Sequence, residues 1–195
     1  MKLARLLVGF GLSLSVSLAC APLSQAADSI PSEHKEFFEQ AFGYVPDNAE
    51  YSSYLEQFGS VPTDEEIALY LASSTSEEQD LQAQVTDQQS PYAAIETRSV
   101  WSNQYFSYGK WIGREVWSLS LMPRRHINAS QQNASWNTVY ARFNNNRHWS
   151  YYKSQGADQS MRKQFFCHAR YGMIKVPWNL EPSRRPNSVN PVTCN

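Results

Sequence analysis

Glu115-Val116-Trp117-Ser118-Leu119-Ser120-Leu121-Met122-Pro123 is the stretch of this 195-residue chain that decides its fold. Apolar and small polar residues alternate along it, which indicates a strand with one buried face, and the proline marks its end. Aromatic residues crowd positions 101–112 just before it, and we expect these to form another strand or a hairpin around Gly109. The stretch therefore predicts a short antiparallel sheet.

Helices are predicted after this strand. The apolar residues there recur at helical spacing: Trp136, Val139, Tyr140 and Phe143. Ser135 or Asn133 is the expected N-cap of this helix. Residues 161–166 predict a second short helix, whereas the alternation over residues 166–176 predicts a strand. Four prolines after that point indicate an irregular C-terminal tail.

The N-terminal part contains a repeat. Residues 42–50 and 58–66 share the pattern F-G-x-V-P-[DT]-x-x-E. The glycine can end a helix in the left-handed conformation, and the proline cannot continue one. Asp47 or Thr63 can then cap the next helix, with a glutamate three residues later at the capping-box spacing. The repeat and the apolar spacing predict three short helices near 32–42, 47–58 and 64–73.

Charge is distributed unevenly, although the net charge of the whole chain is −1. Residues 28–98 carry fifteen Asp and Glu against two Lys and Arg, a net of −13, whereas residues 99–195 carry three against thirteen, a net of +10. Polar residues dominate 74–98, which is typical of a linker. We therefore expect an α+β protein in which a small acidic helical region, residues 27–73, precedes a compact basic α+β domain, residues 99–195.

The N-terminus has the three parts of a secretory signal peptide, residues 1–26. Lys2 and Arg5 are positive, residues 6–19 are apolar, and small residues precede the cleavage position after Ala26. We therefore expect a secreted or periplasmic protein with no spanning segment in the mature chain. The alternative is a lipid anchor at Cys20, although the residues before this cysteine make a poor lipoprotein box.

Two cysteines, Cys167 and Cys194, would stay in the mature chain. Two cysteines in an exported chain most often form one disulfide, and this one would tie down the C-terminal tail of the α+β domain. A catalytic thiol is the alternative for Cys167, since His168 is adjacent. Neighbouring residues of an extended segment point to opposite faces, so this pair does not make a catalytic dyad by itself.

Five separate boxes stand in the C-terminal half, at Ser118–Pro123, Trp136–Phe143, Met161–His168, Trp178–Pro186 and Cys194. They are a Ser- and Leu-rich strand ending in proline, a helix that starts with tryptophan, a box ending in Cys-His, a box running from Trp to Arg-Pro, and a late cysteine. In type and spacing these boxes resemble a secreted bacterial family catalogued as domain of unknown function 2599. The resemblance covers roughly the basic half and does not reach the acidic one.

One departure from the family pattern lies at Ser183 and Arg184, where many members place a tryptophan before the Arg-Pro pair. The resemblance implies secretion and a disulfide. It implies no established activity, because the name of the family carries none.

The chain carries no strong catalytic or metal-binding motif. It has no Walker loop, no G-x-S-x-G, no H-E-x-x-H and no C-x-x-C. Its four histidines are His34, His126, His148 and His168, and none pairs with another ligand at i, i+4. We therefore predict neither a metal site nor a small-molecule cofactor.

A secreted hydrolase, nuclease-like or directed at the cell wall, is one hypothesis. Its site would need a base, an acid and a cation that stabilises developing charge. The candidates for these roles are His168, Glu181, Arg185, His126 and Glu115. The structural alternative is that Glu181 and Arg185 form an ion pair that braces the tail, while His168 hydrogen-bonds within a half-buried strand.

Binding without catalysis is the other class of function. Surfaces that bind phosphates combine cations with aromatic rings, and the basic half interleaves the two. The candidate binding residues are Arg124, Arg125, Arg142, Arg147 and Lys153. The expected partner is an anionic polymer or a cell-surface component, with the acidic leader masking or escorting the basic domain. Cleavage in the linker would make that leader a propeptide. A core with a basic rim gives the same pattern, so a non-catalytic envelope interaction module is the further alternative.

Overall fold

The computed structural model describes residues 30–73, 101–113 and 116–195. The predicted signal peptide with Cys20, the predicted linker 74–98 and Glu115 lie outside these ranges. Within them, six α-helices accompany one three-stranded antiparallel sheet, so the α+β class is confirmed. None of the helices in this part of the chain is long and apolar enough to cross a membrane.

Three short helices form the acidic segment (residues 30–73), close to the predicted bounds: α1 Ser32–Phe42, α2 Asn48–Phe58 and α3 Asp64–Ala72. The repeated pattern explains where they begin and end. The Asp47 carboxylate accepts a backbone N–H of the first turn of α2 at 2.8 Å, and Thr63 and Glu66 form a complete capping box at α3. Gly43 ends α1 in the left-handed conformation, with φ of 77°.

The alternating stretch that ends at Pro123 forms the middle strand of the sheet. β1 (Phe106–Gly113) and the short β3 (Trp178–Leu180) pair antiparallel on either side of β2 (Trp117–Pro123). The region before β2 is therefore a strand and not a turn around Gly109, which lies inside β1. A Cβ at Gly109 would lie 2.6 Å from the ring of Trp101, so this glycine makes room for aromatic packing.

The helix after the sheet begins earlier than predicted. α4 spans Ala129–Phe143, and its N-cap is Asn128. Asn133 and Ser135, the expected caps, lie inside the helix. Only the later turns of α4 carry the apolar stripe, so the polar first turns gave no periodic signal. A single-turn helix, α5 (Arg147–Ser150), follows.

The last helix overturns the strand predicted over residues 166–176. α6 spans Ala157–Arg170, and the strand in this region is β3, which starts only at Trp178. The buried residues of α6 recur at helical spacing: Met161, Phe165, His168 and Ala169. Burial of this stripe against the sheet outweighs the weaker alternation that favoured a strand.

One apolar core lies between the sheet, α4 and α6. Its buried aromatic members are Phe106, Trp136, Phe143, Trp149, Phe165 and Trp178. The predicted disulfide between Cys167 and Cys194 is confirmed, with an S–S distance of 2.07 Å. It joins the outer side of α6 to the penultimate residue of the chain, so the proline-containing tail is held against the helix.

The acidic segment packs directly on the α+β part. Its own aromatic cluster, formed by α1 and α2, is completed by Ile174 from the loop after α6. The backbone N–H of Met173 donates to the carbonyl of Ala41 at 2.7 Å, and the Tyr54 hydroxyl donates to the carbonyl of Arg170 at 2.8 Å. Apolar packing and hydrogen bonds, more than ion pairs, therefore join the acidic segment to the α+β part.

Candidate functional site

His168, the first of the catalytic candidates, lies in the core. Its side chain is buried, with 1% of the residue exposed, and its ring is stacked parallel to that of Trp178, with 6.1 Å between centroids. The hydroxyl of Tyr70, from the acidic segment, lies 2.8 Å from Nδ1, and the carbonyl of Asn179 lies 3.3 Å from Nε2. Both ring nitrogens therefore already have partners within the protein.

These partners fix the tautomer of His168. The Asn179 carbonyl can only accept, so Nε2 carries the proton and donates to it. Nδ1 then accepts from the Tyr70 hydroxyl. Burial, together with the positive charge of Lys175, lowers the pKa of His168 to about 3. The imidazole is therefore neutral at physiological pH and couples α3 of the acidic segment to β3.

The tail carries an ion pair, but not the predicted one. Glu181 pairs with Arg184, whose Nη2 lies 2.7 Å from the carboxylate. Arg185, the expected partner, is exposed. The turn after β3 explains the change, because it brings the residue three positions on, rather than four, back to the carboxylate. The residue at which this chain departs from the family pattern thus supplies the brace of its tail.

His126 lies where the acidic segment meets the end of β2. Its ring packs on Tyr44 at 4.6 Å between centroids and on Phe42 at 6.2 Å. Burial lowers the pKa of His126, Glu50 opposes that shift, and Arg125 adds to it. His126 and His168 therefore contact different parts of the acidic segment, the loop after α1 and the end of α3. The structure does not bring them together, and Glu115 is outside the described residues.

The candidate binding residues fall into two groups along the chain. Arg124 and Arg125 follow β2, and Arg124 Nε donates to the carbonyl of Asn103 at 2.8 Å. The Asn103 side chain donates in turn to Thr138, in the middle of α4, at 2.9 Å. Arg142 lies in the last turn of α4, and Arg147 and Lys153 follow the helix.

The second group, with Trp117 and His148, lies around the C-terminal end of α4, and we call these residues the distal patch: Trp117, Arg142, Arg147, His148 and Lys153. Lys153 Nζ donates to the side chain of Asn144, the C-cap of α4, at 3.0 Å. Arg147 Nε donates to Nε2 of His148 at 3.4 Å. The Trp117 ring stacks on His148 with centroids 3.8 Å apart. Arg147 is thus in direct contact with the aromatic pair, and Arg142 and Lys153 lie at the C-terminal end of α4.

Trp117 is the member of the patch that sequence reasoning missed. It is 42% exposed, although it belongs to the most apolar strand. Its cross-strand partner is Gly113, and a Cβ there would lie 3.1 Å from the indole, so the ring lies over the glycine. A tryptophan opposite a glycine near the end of a hairpin was the available signal. An exposed indole beside cations can stack on a planar or sugar ring of a charged chain.

The part of the chain that the structure describes holds no group of three or more His, Cys, Asp or Glu side chains placed to bind a metal ion. Residues 106–195 match the model of a family described as Protein of unknown function (DUF2599), which confirms the resemblance of the C-terminal half. The acidic segment lies outside that match. No curated protein and no solved structure matches the chain significantly.

Proposed function

We propose that the protein is an exported binding module that holds an anionic polymer at its distal patch, without turning it over. The observation that carries this proposal is the exposed Trp117 stacked on His148, which accepts from Arg147, with Arg142 and Lys153 at the C-terminal end of α4. The cations would neutralise charges along the polymer, and the indole would stack on its rings. The confirmed disulfide supports the export, since such bonds persist in oxidising compartments.

The acidic segment would escort this module rather than mask its binding surface. Gln57 of α2 hydrogen-bonds Gln132, near the N-terminal end of α4, whereas the distal patch lies around its C-terminal end. The patch is therefore open while the acidic segment stays in place. The acidic segment would mask only the face of the α+β part that it covers, where Glu66 pairs with Arg170 at 3.3 Å.

The hydrolase hypothesis finds less support than binding. His168 is buried with both nitrogens hydrogen-bonded, and the Glu181 carboxylate is occupied by Arg184. A general base must reach the proton that it abstracts, which neither group does in this arrangement. Binding therefore has the stronger geometric basis.

Fluorescence anisotropy with a labelled twelve-nucleotide single-stranded DNA tests the proposal, with unlabelled polyphosphate as competitor. We expect R142Q/R147Q to weaken binding about ten-fold or more and to reduce the slope of log affinity against log salt by about 1.4, since each contact to a single strand contributes about 0.7. R124Q/R125Q is the matched control, because it removes the same charge from residues outside the distal patch. We expect it to change the affinity less than about three-fold.

The two polymers separate stacking from charge. Trp117→Ala should weaken DNA binding but leave polyphosphate competition unchanged, because polyphosphate has no rings on which to stack. Equal losses in R142Q/R147Q and R124Q/R125Q would show charge-driven binding without a site and would reject the distal patch. Absence of binding at about 50 mM salt, where electrostatic association is strong, would reject an anionic polymer as the target.

A further inference from the structure

A second surface feature lies away from the distal patch. A groove of about 1070 Å³ opens between α2 of the acidic segment and α6 of the α+β part. The N-terminal end of α4 lies between these two helices and contributes Asn133 to the lining. Near the C-terminal end of α6, the hydrogen bond from Tyr54 to Arg170 joins α6 to α2. The volume is at the upper end of the range for small-molecule sites.

The two walls of this groove carry opposite charges. Asp47, Glu50 and Glu56 line one wall, and the cations Arg162 and Lys163 of α6 line the other. The Asp47 carboxylate caps α2 and that of Glu50 accepts from the Tyr44 hydroxyl, so Glu56 is the acidic residue best placed for a ligand. Hydrogen bonds from the terminal nitrogens of the two cations, and for Arg162 a cation–π contact, hold these two side chains in place. Arg162 donates to Asn133 at 3.1 Å and lies over the Phe166 ring at 4.5 Å, and Lys163 donates to the carbonyl of Pro186 at 2.9 Å.

We propose that this groove binds a peptide-like chain with a free amine at one end and a free carboxylate at the other. The α2 wall would hold the amine, through Glu56 and its neighbours. The α6 wall would hold the carboxylate, since a guanidinium presents several donors in one plane and Arg162 uses one of its Nη atoms for Asn133. The side-chain amides of Gln57 and Gln159 also line the groove, where they can hydrogen-bond peptide groups.

Opposite walls exclude ligands of one charge. A polyanion in the groove would meet three carboxylates, and a polycation would meet Arg162 and Lys163. Phe166 adds an apolar contact in the lining, as a chain with aliphatic side groups would need. The groove therefore differs in chemistry from the distal patch, and the two can be tested separately.

Both segments of the chain are needed for this site. The family match begins at residue 106, so it supplies α4 and α6 but not α2. The acidic wall comes from outside the family match. A ligand that requires this wall therefore binds only when both segments are present. This gives the acidic segment a recognition role in addition to its packing role.

Calorimetric titration of the full chain with the alanine tripeptide and pentapeptide tests the proposal. Fully extended, these probes span about 10 and 17 Å. We expect N-acetylation or C-amidation of the better-binding peptide to weaken binding about ten-fold, because each removes one charged contact. Glu56→Gln and Arg162→Gln should each weaken the free peptide by a similar factor, and both side chains are exposed, so the fold is expected to persist.

Two matched variants serve as controls. Glu65→Gln removes an exposed carboxylate from α3, and Arg142→Gln removes an exposed cation at the distal patch. Both should bind the free peptide within about two-fold of the unmodified chain. The proposal is overturned if neither peptide gives heat at millimolar concentration, if blocked and free peptides bind equally, or if the groove variants bind like the controls.

Discussion

The face under the acidic segment and the distal patch both combine cations with aromatic rings, but only one of them is closed. Under the acidic segment, Tyr70 stacks on Tyr171 at 4.0 Å, and Lys175 lies over Tyr70 with 9% of its surface exposed. At the distal patch, Trp117 stacks on His148 and is 42% exposed. Similar residues thus build an interior in one place and a surface in the other, and the covering helices decide which.

The largest expected effect comes from opening the closed face. Tyr70→Ala removes a fully buried ring that stacks on Tyr171 and donates to His168, so we expect the free energy of unfolding to fall by about 3–5 kcal/mol. Urea denaturation measures this loss. Tyr70→Phe keeps the ring and should cost about 1–2 kcal/mol, for the lost hydrogen bond. A loss below about 1 kcal/mol in Tyr70→Ala would show that the acidic segment contributes little to stability.

The disulfide should be the next largest contribution. Replacing both Cys167 and Cys194 by serine releases a loop closed over a sequence separation of 27, which is expected to cost about 3 kcal/mol. Because Cys194 packs in a cluster with Tyr70 and Tyr171, the loss should also loosen the closed face. Hydrogen exchange of α3 amides would report this loosening, while β2 amides serve as the internal reference. Equal protection of α3 in both forms would contradict the coupling.

Acidification should weaken the closed face, where His168 is buried. Burial lowers the pKa of His168 from 6.5 to about 3, so the stabilisation is fully present above pH 6.5 and is lost as the pH falls toward 3. Between these values the unfolded chain binds a proton that the folded chain does not. We expect the free energy of unfolding to drop by about 2 kcal/mol between pH 7 and pH 5 from this group.

Denaturation at several pH values in two variants separates this contribution from that of other groups. His168→Gln should be less stable at pH 7 but should lose less on going to pH 5. Trp117→Ala, which removes no titratable group, should keep the pH dependence of the unmodified chain. An unchanged pH dependence in His168→Gln would show that this histidine does not carry the effect.

The smallest expected effect on stability is at the distal patch. Trp117→Ala removes a ring that is 42% exposed, so the free energy of unfolding should change by about 1 kcal/mol or less. Urea denaturation of this variant beside Tyr70→Ala compares the two faces directly. A loss as large as that of Tyr70→Ala would mean that the distal patch is part of the core and would remove the contrast between them.

Local signals predicted the acidic segment well, because its helix ends are set by neighbours in sequence. Asp47 and Thr63 cap helices through residues three positions away, and the repeat shows both. The strand β2 was predicted for the same reason. The ends of α4 and α6 were missed, because the polar turns of α4 and the alternation after Phe165 hide a helical stripe that only the packed core reveals.

The candidate sites were harder to predict, since they depend on distant residues. A strand was predicted around His168, which would leave its side chain half-buried. The residue lies instead in α6, which buries it against Tyr70, 98 positions earlier. Glu181 pairs with Arg184 because of a turn after β3, and the positions of the prolines did not predict the geometry of that turn. The charged groove had no signal in the sequence, because its walls come from residues 47–57 and 128–166, which are far apart along the chain.

The contacts of the acidic segment also set the order in which the chain can fold. Tyr54 and Tyr70 hydrogen-bond to residues 116 and 98 positions later, and Tyr70 shares a cluster with the penultimate residue, Cys194. Helices α1–α3 therefore find these partners only after residues 168–194 have been synthesised. Contacts of such long sequence separation form late and slowly. The aromatic face of α1–α3 consequently stays uncovered until the C-terminal residues are available. During this interval the chain is most prone to aggregation.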